Sequence, residues 1–147
     1  MIALVPGLEA TVNRYVVLYL VTLFVIVPID FLFLGVVAKG LFTSQIGHHL
    51  GEIKLVPAIL FYLLYVGGIV IFVSGGASST WQSTLLYGAL FGFFCYATFE
   101  LTSMSLLKHW SWGVVALDVS WGSLVTAVSA TAASTTASTT SPDGARS

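Results

Sequence analysis

Residues 15–37 read YVVLYLVTLFVIVPIDFLFLGVV, 23 positions with a single charge, Asp30. A bilayer core of about 30 Å takes about 20 helical residues, and only a helix or a closed barrel satisfies its backbone there. This run is therefore read as one membrane-crossing helix. Three further runs follow at about 55–73, 83–107 and 112–130. The fold class that results is all-α: an integral membrane four-helix bundle over residues 1–130, followed by a disordered polar tail over 131–147.

Composition agrees with that reading. Of the 147 residues, 57% are hydrophobic and only 7% are charged, with a mean hydropathy of +0.98. Soluble domains carry about 25% charged residues, enough to cover a water-facing surface. This chain cannot do so. A net charge of −1 gives no basic patch for nucleic acid, and the partner implied is the lipid bilayer. The lone Cys95 excludes an internal disulfide and a cysteine-based zinc site, and its place among Phe93, Phe94 and Tyr96 suits a small buried thiol. The 15–37 run is too long for a signal peptide and contains Asp30, although Val36 and Ala38 would suit cleavage. Beyond Ser129 the chain becomes a Ser/Thr/Ala tract with little to bury, which predicts the tail.

Three acids lie inside the apolar runs, where a carboxylate costs roughly 2.5–3.5 kcal/mol to insert. Asp30 stands nine residues before Lys39, Glu100 eight before Lys108, and Asp118 seven after Ser111. At about 1.5 Å per helical residue, each carboxyl falls roughly 10–13 Å below one face. That face also carries Lys39, Lys54, Lys108, His48, His49 and His109. Helical spacing gives the acids company: Tyr19, Thr22 and Ile26 with Asp30, Tyr96 and Ser103 with Glu100, and Trp121, Gly122 and Val125 with Asp118. The predicted ligand- or proton-binding site is Asp30, Glu100, Asp118, Tyr96, Ser103 and Trp121. Equally open is a structural role, in which protonated or hydrogen-bonded acids lock helices together.

Other features read as structure. His48 and His49 suit a solvated loop better than a metal site. Trp81, Trp110 and Trp112 mark the membrane boundaries as an aromatic belt. Gly67-Gly68 and Gly88/Gly92 are packing surfaces. Neither a phosphate loop, a nucleophile elbow nor an HExxH pattern is present, so no catalytic residue and no cofactor is assigned. By the positive-inside rule the three loop lysines, against Arg14 and Arg146, make their face cytoplasmic and put both termini outside.

The runs Tyr96-Ala97-Thr98-Phe99-Glu100-Leu101-Thr102-Ser103 and Asp118-Val119-Ser120-Trp121-Gly122 have a familiar form. Together with Asp30-Phe31-Leu32-Phe33-Leu34-Gly35, Gly47-His48 and Phe61-Tyr62-Leu63-Leu64-Tyr65, they resemble the bacterial predicted membrane proteins grouped as domain of unknown function family 2177. Glu100 stands where that pattern has Asp, Ser103 where it has Asn, and no Trp follows Asp30. The resemblance covers roughly residues 14–130. It implies the four-span fold and a bacterial cytoplasmic membrane, and it brings no activity with it.

Three functions fit these residues. The first is binding or movement of a small ligand, cation or proton at the acids, with a homo-oligomer expected because four spans are few to enclose a path. The second is an accessory subunit of a larger membrane complex, with structural acids. The third is a lipid-modifying enzyme whose carboxylates hold a metal.

Overall fold

The computed structural model describes residues 6–47, 54–76 and 79–140. Helix α1 (Pro6–Phe33) passes through a π turn (Leu34–Ala38) into α2 (Lys39–Ile46). Helix α3 (Leu55–Ile69) ends in a second π turn (Val70–Ser74), and α4 (Trp81–Leu106) and α5 (Trp112–Thr140) complete the chain. Four stretches are long and apolar enough to cross a membrane: Gly7–Val37, Leu55–Ser74, Trp81–Leu106 and Trp112–Thr140. The expected four-span, all-helical architecture is what the chain adopts.

Local chemistry sets the helix starts. Thr80 caps α4 through a reciprocal box, its hydroxyl accepting from the Ser83 amide while the Ser83 hydroxyl accepts from the Thr80 amide. Ser111 accepts from the Val114 amide at the start of α5. Between them only residues 107–111 turn the chain, so α4 and α5 pack antiparallel along their length and form the largest interface. Small residues make that possible. A Cβ on Gly88 would stand 2.9 Å from the Ala127 Cα, and one on Gly92 would collide with the Gly122 carbonyl. Backbone meets backbone here.

Along α1, Leu18, Thr22, Ile26 and Asp30 are buried at four-residue spacing and face α5. Ile26, Val66, Ile69, Val125 and Ala130 share one core cluster, and Leu18, Val70, Ala133 and Ala137 another. Phe24, Leu64 and Phe72 stay more than two-thirds exposed, the outward apolar face that lipid requires. Helix α3 leans away: its π turn touches α4 and α5, while the first part of α3 stands off from α4.

Three boundaries differ from the sequence reading. Helix α1 starts at Pro6 and runs through the expected exit at residue 37 into α2. Helix α5 continues to Thr140, so residues 131–140 are helix, with Ala133, Ser134 and Ala137 buried. The reason is local. Hydroxyls of Thr131, Thr135, Thr136 and Ser138 donate to the carbonyl four residues back, so a Ser/Thr tract satisfies itself in a helix. Of the expected tail, residues 141–147 lie outside the described residues, as do His48 and His49.

Candidate functional site

Because α3 leans away, a cleft of about 910 Å³ opens between α1, α3 and α4 at the level of the acids. Helix α3 contributes Ala58, Phe61, Tyr62 and Tyr65, one face at three- and four-residue spacing. From α4 come Phe91, Phe94, Cys95, Tyr96, Thr98 and Phe99, from α1 Asp30, from the first π turn Leu34, and from α5 Asp118. The walls are almost wholly apolar and aromatic. Two carboxyls, three tyrosines and Thr98 supply the polarity, with Cys95 half-buried among them.

Asp30 is buried and fully bonded. The Tyr62 hydroxyl donates to Oδ2 at 2.7 Å, and the Trp121 indole donates to Oδ1 at 3.0 Å. Trp121 is itself fixed by stacking on Phe33, with centroids 4.1 Å apart and planes within 6°. Two donors on a carboxylate compensate much of the cost of burying it. Asp30 is thereby held in place.

Glu100 is sealed. It has no exposed surface, and its Oε2 accepts from the Trp110 indole at 2.6 Å. Its Oε1 is buried with no donor among the described residues. Its neighbour on α5 is the carboxyl of Asp118. Asp118 is the member of this pair that reaches the cleft.

Tyr96 presses its ring against Gly122, where any Cβ would collide with it, and packs edge-on against Tyr65 at 6.2 Å. Tyr65 is bonded elsewhere, at 2.8 Å to the Thr126 hydroxyl. Thr126 donates to the Gly122 carbonyl, so Tyr65 is the donor to Thr126.

The six residues singled out from the sequence thus take distinct places. Asp30, Asp118 and Tyr96 line the cleft, Trp121 holds Asp30 from behind, and Glu100 backs Asp118. Ser103 lies half-buried one turn past Glu100 and does not line the cleft. Among the described residues no three His, Cys, Asp or Glu side chains come together to hold a metal ion.

Sequence reasoning missed Tyr62, Tyr65 and Trp110. The tyrosines stand three apart on α3 beside Phe61 and offered a readable signal, a polar face in an apolar run. Trp110 offered a misleading one. Its place at a helix end suits the boundary belt, yet it is only 8% exposed and turns inward onto Glu100, whereas Trp112 and Trp81 are 68% and 58% exposed.

A family model described as predicted membrane protein (DUF2177) matches residues 15–135, in agreement with the resemblance drawn from the residues. No curated protein and no solved structure matches the chain.

Proposed function

The chain belongs to the DUF2177 family of predicted membrane proteins, and we propose that it binds a small amphipathic organic cation in the α3–α4 cleft in exchange for a proton. One observation carries this reading: two carboxyls face a single cavity otherwise walled by aromatic and aliphatic side chains. An apolar body favours such walls, and a cationic head gains from carboxylates and from tyrosine faces, each cation–π contact contributing about 0.5–2 kcal/mol.

The two acid groups have different tasks in this scheme. Asp30, with two donors already in place, is the fixed carboxyl that orients the cation. Asp118 and Glu100 share the exchangeable proton. A cation reaching Asp118 displaces it, because three carboxylates around one cation no longer repel as they do around none. Support for a bacterial cytoplasmic membrane comes from the family resemblance, and the lysine distribution favours the Lys39/Lys108 face as cytoplasmic. A homodimer is the form in which four spans per chain enclose a path.

The test is tetraphenylphosphonium binding to the protein in lipid nanodiscs, read by calorimetry at fixed pH. Asp30→Asn and Asp118→Asn should each weaken binding about 10–100-fold, the range for losing one charge-assisted partner. Unchanged affinity in both variants would overturn the assignment.

A further inference from the structure

The cleft opens sideways, between two membrane spans. Helix α1 packs on both α3 and α5, and α4 packs on α5. Helices α3 and α4 meet at Gly68 and Phe91 and through the second π turn. Before Tyr65, α3 stands off. No side chain from Leu55 to Leu64 is buried, and only Ala58 and Tyr62 are even half-buried.

The mouth of this opening is apolar. Leu34, Phe61, Phe94 and Phe99 line the cleft and are at the same time exposed. They belong both to its wall and to the outer face that carries Leu60, Leu64 and Leu90. Asp30 and Asp118 are buried within. So is Tyr65, stacked on Phe61 with centroids 5.5 Å apart and tilted against Phe91 at 5.7 Å. A path of rings leads from mouth to floor. Ala58 stands four residues past Lys54 and Tyr65 eleven, so on α3 the lining spans depths of about 6–16 Å below the lysine-bearing end. A hydrocarbon layer about 30 Å thick fills that range.

We infer that the α3–α4 opening is a lipid portal, through which an acyl chain of a neighbouring phospholipid enters the cleft as far as Tyr65. The mouth is continuous with the surface that touches the bilayer, and the side chains at it carry no charge. An unfilled apolar void forfeits the dispersion contacts of its lining. Water gains little there, because it needs two to four polar partners and the lining groups are largely bonded already. Asp30 accepts from Tyr62 and Trp121, Tyr65 donates to Thr126, and Thr98 donates to the Phe94 carbonyl. A hydrocarbon chain fills the space and asks for no hydrogen bond. Any other guest of the cleft has to displace it.

Nuclear Overhauser transfer in phosphatidylcholine nanodiscs tests this on the full chain, perdeuterated except for its tyrosine rings. Acyl methylene protons should reach buried Tyr65 as well as Tyr87, which is exposed on α4 and serves as the lipid-facing control. Thr98→Trp places a ring in the cleft wall. It should remove acyl transfer to Tyr65 and leave transfer to Tyr87 intact. Acyl transfer to Tyr87 with none to Tyr65 would overturn the inference. So would transfer to Tyr65 from water, or from a second, protonated copy of the chain, in place of acyl transfer. Transfer to Tyr65 that survives Thr98→Trp unchanged would put the entry elsewhere and overturn the portal.

Discussion

Burial turns single atoms into strong constraints in this protein, and Glu100 shows it most clearly. Its carboxyl has one indole donor, one neighbouring carboxyl and no water-facing surface. Trp110→Phe keeps a ring in place but removes the donor from Oε2. Unfolding in mixed micelles should show a loss of about 1–3 kcal/mol, the cost of leaving a buried acceptor unpaired. Combined with Glu100→Gln, the change should be non-additive by about 0.5–3 kcal/mol, as for residues in one network. Strict additivity would mean that the indole and the carboxyl do not act together. The acids were legible because charge inside an apolar run has few explanations. Trp110 was not. Whether a boundary indole turns toward lipid or toward the core depends on the path of residues 107–111, which composition does not encode.

The helices show the same division between periodic signals, which are readable, and single-residue irregularities, which are not. Long apolar runs and the Gly88/Gly92 spacing announced four spans and a close helix pair. The π turns at Leu34–Ala38 and Val70–Ser74 each insert one residue into a helix, and nothing in hydropathy marks such an insertion. The far end of α5 was hidden for another reason, since Ser/Thr tracts look unstructured until their hydroxyls are seen to bond within the helix. The contact of α4 with α5 is the element on which the site depends, because it sets Tyr96 on Gly122 and Glu100 beside Asp118. Gly92→Ala and Gly122→Ala force a methyl against the facing carbonyl or ring. Each should destabilise by about 1–3 kcal/mol, as overpacking does, measured by thermal aggregation in detergent. Gly67→Ala on α3, which would meet nothing within 4 Å, should be close to neutral. A reversed order would refute the packing.

For the molecule as a whole, four spans put the end of the second π turn, the start of α4 and the end of α5 at Thr140 on one side of the membrane and positions 109–111 on the other. Single cysteines introduced into a Cys95→Ser background should label accordingly with a membrane-impermeant maleimide, and positions 79 and 109 labelling from the same side would remove the four-span arrangement. The cleft then lies within the bilayer, closer to the lysine-bearing face, so a ligand has to carry apolar surface to reach it. Exchange of a cation for a proton also fixes the sign of pH dependence. While the carboxyl pair is protonated in the free protein, each rise of one pH unit should tighten cation binding about tenfold, by linkage. Proton release on ligand binding is the most direct reading of that exchange. Tetraphenylphosphonium added to weakly buffered protein with a pH indicator should release close to one proton per ligand bound, and none from Asp118→Asn. Saturable binding with no proton released, and with an affinity that does not change between pH 6 and pH 8, would contradict the account.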